Sequence, residues 1–326
     1  MGVVYVGIDE AGYGPMLGPL TVAMTAFRSR DHDPSDGVPD LWKSLRRSVC
    51  RETSDHSGRI AIDDSKKLKL PNTSKKRHPL THLERGVLAF LGADGPADDA
   101  ALMATVGAEL DAAPWYAGEP THIPLGADAR MLELDRASLA RAMEAAGIEF
   151  LGARCVALCE GGFNRRLSSA RSKAAVSGAV VAELVSEAIK RWGGLGDCLR
   201  VAVDRQSGRA HYDDLIGLVS PKPTIVRRAI VEWSSRYAIE LPGDMDIDAA
   251  IAFEVEAEQR HLPVALASMT AKLVRELAML RFNRYWRTRL PELKPTAGYY
   301  GDARRWLEDA RPVLTEEVRR ALVRQA

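Results

Sequence analysis

The chain has 326 residues, of which 46% are hydrophobic and 27% charged, the profile of a globular protein of one large domain or two smaller ones. No apolar run reaches the roughly 18 residues that a membrane-spanning helix needs, and four scattered cysteines, Cys50, Cys155, Cys159 and Cys198, are too few for a disulfide framework and complete no zinc site. A net charge of +1 does not announce a nucleic-acid binder, although basic residues gather at Lys66, Lys67, Lys69, Lys75, Lys76 and Arg77, and again at Arg275, Arg281, Arg284, Arg287 and Arg289.

Gly2 to Ile8 is a short run rich in Val, Ile and Tyr, which predicts a strand buried on both faces. It ends in Asp9-Glu10, followed by Ala11-Gly12-Tyr13-Gly14-Pro15-Met16-Leu17-Gly18-Pro19. Two carboxylates at a buried strand end are costly without compensation, and adjacent strand residues point to opposite faces. The glycines allow a sharp turn and a close backbone approach to a ligand; a turn with two solvated acids reads the same way. Leu20 to Phe27 predicts a second strand.

Residues 28 to 59 are polar, with a short helix over Leu41 to Val49, and read as an excursion from the sheet. Ile60-Ala61-Ile62 leads into Asp63-Asp64-Ser65-Lys66-Lys67-Leu68, where an Asp-Ser pair can cap a following turn and the lysines can meet phosphates. Residues 69 to about 147 predict helices over Pro79–Leu91 and Ala100–Leu110, a loop over Trp115–Asp128, and a helix capped by Asp135 and running to about Ala146.

Ile148 to Leu158 predicts a strand and Asn164 to Trp192 one long helix closed by Gly193-Gly194. Leu199 to Val203 is a short strand that delivers Asp204. Strands follow over Thr224–Arg228 and Ile230–Leu241, then a turn at Leu241-Pro242-Gly243-Asp244. Asp244, Asp246 and Asp248 alternate, but the rest of a calcium loop is missing, so a turn is expected. Ala250 to Glu256 fits a strand or a helix. Pro263 to Leu290 predicts a helix, and two more span Asp302–Ala310 and Thr315–Arg324, the last with Thr315 as cap.

Several of these stretches resemble the type 2 ribonucleases H, the ribonuclease HII-like family. The likeness rests on Gly7-Ile8-Asp9-Glu10-Ala11-Gly12 with Gly14 and Gly18-Pro19, on Asp64-Ser65-Lys66-Lys67-Leu68, on Asp204, on Ala267-Ser268-Met269-Thr270-Ala271-Lys272-Leu273-Val274-Arg275-Glu276, and on Gly298-Tyr299-Tyr300-Gly301. It covers the first seventy residues and roughly 160 to 305. The resemblance implies an α/β fold: a ribonuclease H-like mixed sheet flanked by helices, with a mainly helical insertion at about 69–147 in a core of residues 1–262. A C-terminal helical region, 263–326, would complete the site and the substrate groove.

It also implies catalysis and metal binding by Asp9, Glu10, Asp204 and Glu276 around two Mg²⁺ or Mn²⁺ ions, with substrate contacts from Gly12, Tyr13, Gly14, Ser65, Lys66, Lys67, Lys272 and Tyr299. The substrate it implies is the RNA strand of an RNA/DNA hybrid, cut to 3′-OH and 5′-phosphate ends, or a single ribonucleotide in duplex DNA. Three departures stand out: Tyr13 occupies a position the family usually gives to Arg or Lys, Arg205 stands where it usually has Gly, and Glu276 is one methylene longer than the usual Asp. Weaker cleavage at single ribonucleotides is therefore expected. Another nuclease on the same fold, or a non-catalytic nucleic-acid-binding relative, are the alternatives; four acids argue against the second. A cytoplasmic monomer without membrane contact is expected, since no charged-then-apolar leader precedes Asp9.

Overall fold

The computed structural model describes residues 2–55, 57–170, 172–195, 197–205, 209–242 and 248–325. Its strands are β1 (Val3–Ala11), β2 (Leu20–Ser29), β3 (Val49–Cys50), β4 (Ile60–Ala61), β5 (Ile148–Leu158), β6 (Cys198–Asp204), β7 (Thr224–Val231), β8 (Ser234–Glu240) and β9 (Ala249–Glu254). Its α-helices are α1 (Leu41–Ser44), α2 (Ser65–Leu68), α3 (Thr81–Phe90), α4 (Asp99–Val106), α5 (Ala129–Ala145), α6 (Glu160–Ser169), α7 (Lys173–Trp192), α8 (Asp213–Ile216), α9 (Leu262–Arg289), α10 (Tyr300–Asp309) and α11 (Glu316–Leu322). Seven strands form one mixed sheet in the order β5-β2-β1-β6-β9-β8-β7, and β3 pairs with β4 apart from it. The central trio β1, β6 and β9 is parallel, while the flanking pairs are antiparallel. The chain is thus an α/β protein, a mixed sheet with helices on both faces and a helical C-terminal region.

Strand parity sorts the core. Val3 and Tyr5 face the layer containing α9, whereas Val4, Val6 and Ile8 face the layer containing α7. Helix α9 is buried on every side from Leu262 to Arg275, as an element in the middle of a core must be. It can sit tight against β1 because of Gly7: a Cβ there would stand 2.1 Å from the Val264 nitrogen and 2.2 Å from the Pro263 carbonyl carbon. The Thr25 hydroxyl donates to the Pro263 carbonyl at 2.7 Å and fixes the same helix turn to β2.

The middle of the chain, which carries no family motif, joins the α9 layer. Leu83, Val87, Leu102, Leu132 and Leu139 belong to one apolar cluster with Leu266 and Leu273. Asp99, fully buried, receives both Nε and Nη2 of Arg281 at 2.7 and 2.8 Å, clamping α4 to α9. Glu84 accepts from the backbone N–H groups of Leu125, Gly126 and Ala127 and orders the loop after Trp115.

Several sequence expectations need correction. Helix α5 begins at Ala129, because Asp128 accepts from the Met131 N–H; Asp135 lies inside the helix, held by Arg85 at 2.5 and 2.7 Å. The long helix over 164–192 is two, since Ala170 is extended and Ser172 caps α7 by accepting from the Ala175 N–H. The β7–β8 turn falls at Glu232-Trp233 rather than Ala229. Residues 249–254 form a strand, and α10 starts at Tyr300. Asp244 and Asp246 lie outside the described residues. Of the second basic cluster, Arg275 and Arg281 are buried, so it is no continuous surface patch. No helix among the described residues is long and apolar enough to cross a membrane.

Candidate active site

Strands β1 and β6 run parallel with Ile8 opposite Val203. Asp9 and Asp204 are the next residue of each, so they stand side by side on adjacent strands, about 4.8 Å apart, and face the same side. That side carries α9. Burial pushes the Asp9 carboxyl well above its ordinary range, and the charges of Asp204 and Glu10 push it further; hydrogen bonds from the Ser268 hydroxyl and the Glu10 N–H act against this. Asp204 is raised chiefly by burial and by Glu10, and the Ala257 N–H donates to its Oδ1 at 3.0 Å. Glu10, partly exposed at the strand's end, completes the group of predicted acids that come together.

The structure adds an acid that lies outside every sequence motif. Glu258 is on the short 3-10 turn Ala257–Gln259, which links β9 to α9 and is entered through Glu256 in a left-handed conformation, φ 53°. Its carboxyl is buried and hydrogen-bonded to Asp204, and burial followed by the Asp204 charge pushes its pKa up to about 7. Its Oε2 is buried with no hydrogen-bond partner, a costly arrangement for an isolated carboxyl. The only hint in the sequence is the alternation Glu254, Glu256, Glu258 just ahead of α9.

Glu276 is not brought to this group. It sits eight residues past Ser268, roughly 12 Å further along the helix at 1.5 Å per residue. Its carboxylate is held by Lys272 at 2.9 Å and faces Lys69 at 3.8 Å. The acid cluster is seated at the helix's first turns, so Glu276, expected as a metal ligand, lies apart from Asp9 and Asp204.

The remaining predicted residues divide. Asp64 caps α2 by accepting from the Lys66 N–H, and the Ser65 and Ser268 hydroxyls lie 2.9 Å apart, joining α2 to the Asp9 support. Lys66 faces Asp64, Asp9, Glu258 and Asp204; burial lowers its pKa, but these acids outweigh it and raise the net value. Lys67 instead reaches Asp63 at 3.5 Å and is half exposed. Gly12 has φ +85°, and a Cβ there would meet Arg275 Nε at 2.5 Å and the Pro19 carbonyl at 2.6 Å. Tyr13 packs its ring against the α7-side core, and Gly14 has open space around it. Tyr299, 47% exposed, has the Lys272 ammonium 6.0 Å and the Arg275 guanidinium 5.5 Å from its ring centre, so Lys272, Glu276 and Tyr299 form a flank of their own.

Among the described residues, no three His, Cys, Asp or Glu side chains are gathered closely enough to hold an ion as they stand. The donor set nevertheless suits a hard divalent cation: carboxylate oxygens only, mutually repelling, one of them without a partner.

No family model matches the chain, and no curated protein matches it. Solved structures do. A chain of the PCNA:RNase HII complex from Archaeoglobus fulgidus is 16% identical, with 99% of this chain and 94% of that one covered and a TM-score of 0.41. Ribonuclease H2 from Pyrococcus horikoshii OT3 is also 16% identical, over 99% and 92%, with a TM-score of 0.43. Bst-RNase HIII in complex with Mn²⁺ is 12% identical, over 99% and 66%, again with a TM-score of 0.43.

Proposed function

We propose that this chain is a metal-dependent endonuclease of the type 2 ribonuclease H kind, which hydrolyses the RNA strand of RNA/DNA hybrids and leaves 3′-OH and 5′-phosphate ends. The observation that carries this reading is the meeting of Asp9, from the first motif, with Asp204, from a strand almost two hundred residues later, under a helix that carries the third motif. Asp9, Glu10, Asp204 and Glu258 would hold Mg²⁺ or Mn²⁺, with Glu258 in the role expected of Glu276. Bound metal supplies neutralisation of the scissile phosphate and acidification of the attacking water.

The chain's own residues do the rest. Ser268 and the Ala257 N–H fix the orientation of Asp9 and Asp204. Lys66 sets one positive charge beside the acids, where a backbone phosphate would otherwise meet only negative charge. Burial and the Asp204 charge hold the Glu258 carboxyl at a pKa of about 7 before metal binds, so ion binding near neutral pH would release its proton. The backbone of Gly12 to Gly14 and the exposed ring of Tyr299 supply contacts to the sugar edge, where the 2′-OH distinguishes RNA from DNA. Tyr13 brings no positive charge, so cleavage at a single ribonucleotide is weaker than on a continuous hybrid. The protein acts as a cytoplasmic monomer in this reading.

The test is cleavage of four labelled duplexes, an RNA/DNA hybrid, a DNA duplex with one ribonucleotide, plain DNA and plain RNA, each with Mg²⁺ and with Mn²⁺. Metal-dependent cutting of the hybrid RNA strand, lost on chelation, is expected. Cutting of plain DNA in preference to the hybrid would move the chain to a different nuclease class, and binding without product would make it a non-catalytic relative.

A further inference from the structure

The hairpin β7–β8 stands at the edge of the sheet, and no recognised motif falls on it. Strand β7 is exposed along nearly its whole length, and Val226, Ile230, Val231 and Trp233 all show large apolar side chains to solvent. Its tip is nevertheless tied to the acid cluster. The Val255 N–H donates to the Trp233 carbonyl at 2.9 Å, the Arg205 guanidinium donates to the Glu232 carbonyl, and the Ser234 hydroxyl donates to Glu254 at 3.2 Å. Glu254 is the in-register neighbour of both Asp204 and Ser234. Asp204 and Ser234 are therefore two strand spacings apart, about 10 Å, and Trp233 is the next residue out.

The indole at this point is 45% exposed and has two guanidinium groups near its ring, Arg260 at 4.8 Å and Arg236 at 5.6 Å from the ring centre. Both arginines also reach Glu254, Arg236 at 3.0 Å and Arg260 at 3.3 Å, which orients them but leaves two positive charges to one carboxylate. Each guanidinium has five N–H donors, more than these contacts use. Arg227 adds positive charge on β7, whereas Arg228 is paired with Asp213, and Glu232 and Glu240 also lie within the hairpin. A half-exposed aromatic ring beside two cations complements an anionic strand with flat bases.

We propose that the tip of this hairpin is a docking element for the nucleic acid strand that runs through the acid cluster: Trp233 packs on the sugar and base of a nucleotide a few steps from the scissile phosphate, and Arg236 and Arg260 hold the phosphates beside it. The inference rests on the nuclease reading for the direction of the strand, but it is measured by binding. The probe is a labelled RNA/DNA hybrid titrated in Mg²⁺ against protein carrying Asp204→Asn, so that binding is read without cleavage. In that background Trp233→Ala is expected to raise Kd roughly tenfold and Trp233→Phe, which keeps a stacking ring, to restore most of the affinity. Indole emission is the second readout. It should be quenched when the hybrid binds the protein with Trp233 intact, and that component should vanish in the Trp233→Phe variant.

Unchanged affinity in Trp233→Ala together with no Trp233-dependent quenching overturns the docking element, whether or not the unsubstituted enzyme cleaves. Trp233-dependent binding by a chain that cleaves none of the duplexes leaves the docking element standing and removes the nuclease reading. A chain that neither binds nor cleaves the hybrid removes both.

Discussion

Asp9 and Asp204 lie side by side on neighbouring parallel strands in one register, so the buried carboxylate of Asp9 and the partly buried one of Asp204 are neighbours in the sheet. Their repulsion is a cost to the fold that only a cation or a proton relieves. Asp204→Asn keeps the shape and the acceptor for the Ala257 N–H while removing one charge. It is expected to leave the melting temperature in metal-free buffer equal to or above that of the unsubstituted protein, and to cut hydrolysis by at least on the order of 100-fold, more than the loss of an outer support to a ligand. Thermal melts and single-turnover cleavage check the two halves; undiminished turnover refutes the site.

Glu258 and Glu276 compete for the fourth acidic role, and paired substitutions separate them. Glu258→Gln removes a buried carboxyl with an unpartnered oxygen beside Asp204. It should abolish metal-dependent cleavage and also raise the metal-free melting temperature at pH 8, by about 2–4 °C for each kcal/mol of repulsion relieved in a chain of this size. Glu276→Gln weakens a pair with Lys272 on the Tyr299 flank. There the change should fall on KM, with turnover at saturating hybrid retained. The opposite pattern, with Glu276→Gln inactive and Glu258→Gln active, would return the role to α9.

The two glycines flanking Tyr13 differ in what they do. Gly12 needs both its left-handed backbone and its missing Cβ, since Arg275 and the Pro19 carbonyl fill the space. Gly12→Ala is expected to cost at least about 2 kcal/mol, the left-handed penalty of 1–2 kcal/mol with the clash added. A Cβ placed on Gly14 would meet nothing within 4 Å, so Gly14→Ala should stay within about 0.5 kcal/mol in stability. Any effect it has should appear in KM. Denaturant melts of the two variants, run side by side, measure the contrast.

The parts of this architecture that are readable from sequence are those whose information is local. Strands β1 and β2 announce themselves as largely apolar runs, β5 by a loose alternation, and α9 as a long helical stretch opened by Pro263. Asp9, Glu10 and Asp204 stand out as candidates because each follows an apolar run, but a solvated turn reads the same way, and it is the resemblance of the surrounding motifs that singles them out. Glu258 does not stand out, because nothing near it in sequence is anomalous: its place depends on the left-handed turn at Glu256 and on the alignment of β9 beside β6, which is set by residues fifty positions away. The misassigned cap at Asp135 has the same origin, since its partner Arg85 lies fifty residues upstream. The hairpin turn at Glu232-Trp233 contains none of the usual turn residues, so its position follows from the pairing of β8 with β9.

Glu254 closes the parallel trio at the same level as Asp9 and Asp204, but its environment has the opposite sign. Burial acts to raise its pKa, yet the hydrogen bond and charge of His261, with Arg236, outweigh burial and bring it down to about 2. His261 also meets the buried Tyr5 hydroxyl through Nδ1, so the ring bridges β9 and β1. A carboxyl depressed on folding contributes stability that is present above its unfolded value near 4.5 and is lost as the pH falls through the folded value. The window for Glu254 therefore runs from about pH 4.5 down to about pH 2. Glu254→Gln is expected to lower the melting temperature at pH 6, where the ionised carboxylate holds Arg236, Arg260 and His261, and to flatten the fall in melting temperature between pH 5 and pH 3. Melting curves over that range, for the two proteins at one ionic strength, give the result; parallel acid limbs would mean that another carboxylate carries the acid sensitivity of this end of the sheet.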